Sequence, residues 1–361
     1  MGKGAGNSIR MTPNIVKITT KRLQYFYFRL FTIAFAVACW SSVEAQTGGV
    51  AGTFTNMGYG PRGIAMGNSL TALTTGNITA LYNPSLGAFE SDRSVYASYS
   101  SLGLDRTFNV LAVNATIPVY KKSSSSQKDT LPDSLRTRVS TIGISAGIVN
   151  TGVSNIDSRD AEGMPLGMLS TYQNIYFGSV SIRFRPELSV GILIKFLSAK
   201  LTNQITSGGL GLDVGAVYQI SDALSVAAVI QNMFAQYRWD STPLYNEQGQ
   251  TTTDNFPVYF HLGAAYRLIE TGATFTADFE QSSANTTILR GGVEYGFNQA
   301  FAIRAGIDGY NITNPLAETV HPSFGLSITE PVGPLKPTVE YAAYNDPVLG
   351  LINVIALAIQ F

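Results

Sequence analysis

Large apolar side chains alternate with small or charged ones, strictly and repeatedly, from Ser94 to the last residue of the chain. Ala273, Phe275, Ala277 and Phe279 alternate with Thr274, Thr276, Asp278 and Glu280. Leu289, Gly291, Val293, Tyr295 and Phe297 alternate with Arg290, Gly292, Glu294 and Gly296. A period of two places each set on its own face of a β-strand. About fourteen such segments begin near Ser94, Phe108, Val139, Tyr172, Leu188, Leu210, Leu224, Pro257, Ala273, Ile288, Phe301, Ser323, Pro337 and Leu351. Most run ~8–13 residues, where a tilted membrane strand needs about 9–11 and a soluble strand averages about five or six.

The connections carry a second pattern. Short ones, at 185–187, 221–223, 269–271, 298–300 and 330–334, alternate with longer polar ones at 150–170, 233–256 and 309–322. Short turns on one side and long loops on the other are the arrangement of an outer-membrane barrel, with both chain ends on the short-turn side. The serine- and charge-rich stretch 121–138 is long where a short turn is expected.

A β-sandwich also alternates, but it turns its polar face outward. Here the large aromatic face contrasts with one of small and charged residues, which fits lipid outside and a polar lumen inside. A sheet in lipid has to close on itself. The expected fold is all-β, a closed antiparallel transmembrane β-barrel of about fourteen strands over residues 93–361.

Composition agrees. Charged residues make up 13% of the chain, aromatics 11%, and there are 35 glycines. The formal net charge is zero, so nothing points to nucleic acid. The histidines are His261 and His321, and the single cysteine is Cys39, which excludes a histidine–cysteine metal cluster. Calcium loops are absent as well.

The first 45 residues read as a secretory signal. Lys17, Lys21, Arg22 and Arg29 precede an apolar run from Leu30 to Trp40, followed by a small-residue cleavage site at Val43-x-Ala45. That run of about 11 residues is shorter than the roughly 20 of a membrane helix. Met11 is an alternative start, and a lipoprotein-like box ending at Cys39 is the competing reading.

Residues 46–92 break the alternation. They are glycine-rich and moderately apolar, and are expected to fold into the lumen as a plug. Gly58-x-Gly60-x-x-Gly63 matches a dinucleotide fingerprint but follows no strand and opens no βαβ unit. Gly143-x-Ser145-x-Gly147 matches a nucleophile elbow, yet lies within an alternating strand. No catalytic constellation stands out, so neither an enzyme nor a cofactor is expected.

The Pro61-Arg-Gly-Ile-Ala-Met-Gly67 run is followed by Tyr82-Asn-Pro-Ser-Leu-Gly87. Together they resemble the N-terminal signature of two related groups: the FadL-like channels for hydrophobic compounds, and the PorV/PorQ group, some members of which serve type IX protein secretion. The resemblance implies a fourteen-stranded outer-membrane barrel of a Gram-negative bacterium with its N-terminal segment inside. It rests on Arg62, Gly63, Met66, Gly67, Tyr82, Asn83, Pro84 and Gly87. The closing strand, with Leu357, Ile359 and Phe361 on one face, resembles the signal read by the barrel-assembly machinery.

If the faces are assigned correctly, Lys195, Asp213, Arg267, Asp278, Glu280, Arg290, Glu294, Arg304, Asp308 and Glu340 point into the lumen. Arg290, Glu294, Arg304 and Asp308 come from adjacent strands and are expected to form one network, with Arg62 as a partner from the plug. Two functions stay open: a passive channel for a hydrophobic or amphipathic compound, and a secretion or surface-assembly accessory that binds a protein.

Overall fold

The computed structural model describes residues 50–77, 79–90, 93–120, 138–312, 320–346 and 350–361. The expected signal and most of the 121–138 insertion lie outside these residues. The strands are β1 Ser94–Ser101, β2 Arg106–Tyr120, β3 Arg138–Arg159, β4 Pro165–Arg185, β5 Leu188–Lys200, β6 Thr206–Gln219, β7 Leu224–Met233, β8 Gln236–Asp240, β9 Thr251–Asn255, β10 Tyr259–Leu268, β11 Ala273–Ser282, β12 Thr287–Gly296, β13 Phe301–Asn311, β14 His321–Thr329, β15 Lys336–Asp346 and β16 Gly350–Gln360.

Fourteen of them form one closed antiparallel barrel in chain order, with β7 pairing β10 and β16 closing onto β1. Closure leaves no open sheet edge, as a spanning sheet requires. The remaining two, β8 and β9, pair only with each other. The segment 233–256, expected to be a plain loop, therefore contains a hairpin. Residues 150–170, also expected to be a loop, are mostly strand, because β3 and β4 keep pairing from Ile156↔Leu169 to Arg159↔Pro165. This pair projects as an arm beyond its neighbours on the long-loop side.

The two faces separate cleanly. Outside, Tyr99, Leu111, Phe196, Phe275, Phe324, Ile355 and Leu357 are exposed. Inside, serines such as Ser94, Ser98, Ser145, Ser181 and Ser189 are buried. An apolar exterior around a polar interior inverts the layout of a water-soluble protein and suits lipid contact. Phe361 stands exposed at the end of the outer face, its amide donating to the Arg93 carbonyl at 2.9 Å.

The described residues between 50 and 90 run inside the ring. They comprise a 3-10 turn at Thr53–Asn56, a short helix α1 at Pro61–Ala65, and a longer 3-10 turn at Pro84–Phe89. Met66, Leu81 and Leu86 are among the largest fully buried side chains. The hydrophobic core is thus the plug together with the inner wall.

Candidate functional site

The two signature runs dock on two patches of wall glycine. A Cβ at Gly292 or Gly306 would overlap the Met66 backbone, and one at Gly325 would strike the Ala65 side chain. A Cβ at Gly143 would overlap Gly87 and Ala88, and one at Gly191 would overlap Pro84 and Ser85. The missing side chains let plug backbone approach wall backbone closely. Gly67, at φ 61°, turns the chain where a Cβ would meet the Ile307 and Gly291 carbonyls.

Side chains then fix the plug's own path. Asn83 caps the 3-10 turn by accepting from the Ser85 amide (3.0 Å) and hydroxyl (2.6 Å), and it donates to the Thr71 carbonyl at 2.9 Å. Pro84 starts the turn where no amide donor is needed. The Tyr82 hydroxyl accepts from the Tyr59 amide and donates to Asn68 Oδ1, both at 2.9 Å. Burial pushes the Tyr59 and Tyr82 hydroxyls well up, which keeps them protonated. Arg62 and Met66 belong to the first docking patch and Gly87 to the second, while the Gly63 backbone packs beside the Tyr82 hydroxyl.

The lumen charges fall into separate clusters instead of one network. Arg290 bonds Glu280 at 2.6 Å and Asp308 at 2.5 Å. Two plug asparagines join this cluster, Asn56 donating to Glu280 at 3.2 Å and Asn68 to Asp308 at 2.7 Å. Glu294 instead takes Arg62 of the plug at 2.8 Å and Arg304 at 2.6 Å. Between Arg290 and Glu294 lies the rung of Gly292 and Gly306, occupied by Met66 backbone, and this separates the clusters.

A bulge on β13, between the Tyr310↔Leu289 and Ile307↔Gly291 pairs, accompanies Asp308, and Gly309 there has φ 83°. Asp278 stands opposite Arg290 in the register of β11 and β12, yet no salt bridge joins it to an arginine among the described residues; it accepts from the Thr71 amide at 3.1 Å and from the Thr71 hydroxyl. Arg267 lies outside both clusters. It is exposed near the short-turn rim, donating to the Asp222 carbonyl at 3.0 Å. Its alternation placed the face correctly but not the height. Glu340 is buried on the inner face of β15.

A third cluster sits further round the wall, on β5 to β7. Lys195 and Asp213 pair at 2.8 Å with side-chain exposures of 1% and 0%. Asn232, at a bulge of β7 with φ 61°, donates its amide to Asp213 and accepts from Lys195. Its side chain also reaches Thr55 in the plug at 3.3 Å.

Above this cluster the β8–β9 hairpin leans over the mouth of the barrel. Ser207 on β6 exchanges two 2.8 Å bonds with the Arg238 backbone, and a Cβ at Gly209 would overlap the Gln236 carbonyl. Tyr237 packs edge-on against Phe256 at 4.9 Å and tilted against Trp239 at 5.3 Å. Trp239 donates its indole N–H to Asp254 at 2.8 Å.

Between hairpin, plug and the tops of β2 to β5 lies a cavity of about 380 Å³. Its walls carry Phe54, Met57, Leu102, Tyr172, Tyr237 and Trp239, with Arg106, Gln173 and Lys200 among the polar groups. A second cavity of about 130 Å³ lies between the plug and β13–β15. Thr53 and Met57 border both. The cavity aromatics were not singled out in sequence; Tyr237-x-Trp239 within an otherwise polar loop was the available signal. Among the described residues no group of histidine, cysteine or carboxylate side chains could hold a metal ion.

No protein-family model matches the chain, and no curated protein sequence matches it. Solved structures do. The toluene transporter TodX of Pseudomonas putida superposes with a TM-score of 0.53 at 12% identity, over 84% of this chain and 97% of that one. The fold is shared with hydrocarbon channels. The toluene transporter TbuX of Ralstonia pickettii gives 0.51 at 12% identity, covering 85% of this chain and 98% of its own. The monoaromatic hydrocarbon channel CymD gives 0.51 at 11% identity, covering 84% and 97%.

Proposed function

We propose that this protein is an outer-membrane channel of FadL-like type, passing hydrophobic or amphipathic small molecules down their gradient. The observation that carries the reading is the aromatic-lined cavity of about 380 Å³ at the long-loop, outward end, directly above the plug. The shared fold with toluene transporters supports it. In this reading the apolar outer face meets lipid and the strand ending at Phe361 is the assembly signal.

Magnitudes suit passage more than storage. An aromatic ring buries about 150–250 Å², contributing roughly 4–6 kcal/mol at ~25 cal/mol per Å². Loss of translational and rotational freedom costs at least about 4 kcal/mol. A single ring is therefore held weakly and released readily. The floor of the cavity is the Thr53–Asn56 turn, which has to shift for a ligand to pass the plug.

The second reading, a surface or secretion accessory that binds a protein, draws on the β3–β4 arm. There Met164, Leu166 and Met168 are 63%, 67% and 68% exposed. Exposed apolar patches mark interaction sites.

Trp239 tests the first reading. The chain has two tryptophans, and the other, Trp40, lies in the expected signal. Titrating the leader-free barrel with a monoaromatic hydrocarbon and with a fatty acid is expected to change Trp239 emission saturably. Unchanged emission, together with retention of a secreted protein on the barrel that is lost with Met164→Asp and Met168→Asp, would favour the second reading.

A further inference from the structure

The smaller cavity meets the larger one at two residues, Thr53 and Met57. Thr53 is short, whereas Met57 places an unbranched thioether chain with three rotatable bonds at the junction. The turn beside it is tied down. Asn56 donates to Glu280 and accepts from Arg290, both at 3.2 Å. The Thr55 carbonyl accepts from the Tyr59 hydroxyl at 2.7 Å. Rotation of Met57 is therefore the smallest motion that joins the two cavities, and side-chain rotation is fast compared with displacement of a loop. The shift of the Thr53–Asn56 turn follows, when a ligand moves on past the plug.

Taking the barrel as a channel, we propose that the smaller cavity is a second station on the route, entered past Met57, and that it favours a single ring bearing a hydroxyl over an unsubstituted hydrocarbon. Size restricts it to one ring. Its volume of about 130 Å³ is close to the ~150 Å³ that houses one benzene in a protein interior. Met57 and Ile64 on the plug side, with the rings of His321 and Tyr344 tilted at 6.4 Å on the wall side, supply apolar surface for that ring.

Hydrogen bonding selects the hydroxyl. Most polar groups around the cavity are taken: Asp308 by Arg290 and Asn68, Asn68 also by Tyr82, and Asn56 by Glu280 and Arg290. Asp346 has a partner of its own. Ser323 differs. It lines the cavity at 8% exposure, and its hydroxyl has no hydrogen-bond partner in the protein. The staggered χ1 positions of a serine let that hydroxyl turn toward the cavity. A hydrocarbon that displaces water from this wall leaves Ser323 unpaired, whereas a hydroxylated ring replaces the bond. Sites built around such a bond discriminate against the analogue that lacks it.

Two probes separate the cavities. Trp239 lines only the larger one, and His321, one of two histidines in the chain, lines only the smaller. Phenol and toluene are titrated against the purified protein in detergent, with Trp239 emission and the His321 ring resonances recorded together. His321→Gln assigns the latter. Phenol is expected to shift the His321 signals saturably, with an affinity roughly tenfold above that of toluene, the scale of one hydrogen bond. Ser323→Ala should lower phenol affinity at His321 about tenfold and leave toluene unchanged. Met57→Phe, with a stiffer and bulkier side chain at the junction, should weaken the His321 response at least tenfold while Trp239 still responds. The Trp239 response also reports that each variant is folded. With Trp239 responding, three results would each overturn the proposal: His321 signals unmoved by phenol, equal affinity for phenol and toluene, or a preference indifferent to Ser323→Ala. An undiminished His321 response in Met57→Phe would overturn the route past Met57. Silence of both probes toward both compounds would remove the channel reading as well.

Discussion

Arg62 in the plug clasps Glu294 in the wall with two parallel bonds, Nε to Oε2 and Nη2 to Oε1, each 2.8 Å long. The same guanidinium donates to the Thr75 carbonyl and hydroxyl, so one side chain ties the lower plug loop to β12. A planar donor fork meeting a carboxylate in this way fixes orientation as well as distance. Glu294 keeps a second arginine, Arg304.

Arg62→Ala is therefore expected to loosen the plug without opening the barrel. Breaking a buried pair costs about 3 kcal/mol, or roughly a hundredfold in local opening. Amide hydrogen exchange over residues 61–77 should accelerate while exchange in the strands stays unchanged. Unaltered exchange in 61–77 would show that the clasp does not hold the plug.

The wall glycines give a steric test. Gly306→Val sits in regular strand backbone, so the barrel should close, but the new side chain collides with Met66 and Gly67. Planar-bilayer conductance should rise as the plug is displaced. Gly178→Val is the matched control, because its Cβ meets nothing within 4 Å. It should conduct like the wild type.

The Lys195–Asp213 pair is almost completely buried. Removing one partner strands a charge, so Lys195→Met and Asp213→Leu should each destabilise the barrel by about 3–5 kcal/mol in denaturant unfolding. The double variant should recover most of that loss, since two apolar groups replace two desolvated charges. Losses that simply add would mean the residues act independently.

Much of this architecture was legible in the sequence, for physical reasons that also explain what was not. Lipid on one side and a packed plug on the other force strict alternation. The strands from Leu188, Ala273 and Phe301 accordingly begin where their side chains begin to alternate. The β8–β9 hairpin escaped because it stands over water and plug instead of lipid, and Thr251-Thr-Thr-Asp-Asn255 is polar throughout. The β3–β4 arm escaped for the same reason, since neither of its faces is forced to be uniformly apolar. The cavity draws Phe54, Leu102, Tyr172 and Trp239 from four separate segments, a proximity that no local spacing encodes. Asp278 had the right face but no readable partner: alternation gives direction, while the path of the plug decides that Thr71 arrives there.

Transport itself is the decisive quantity. Uptake of a labelled long-chain fatty acid, and of a labelled monoaromatic hydrocarbon, should be followed in cells whose outer membrane carries either this barrel or its Ala199→Trp variant. Ala199 lines the larger cavity and is 1% exposed, so an indole there would fill it. Saturable uptake of at least one ligand above the barrel-free background, lost in Ala199→Trp at equal barrel abundance, is the predicted result. Uptake at background for both ligands, or uptake indifferent to Ala199→Trp, would contradict a channel that works through this cavity.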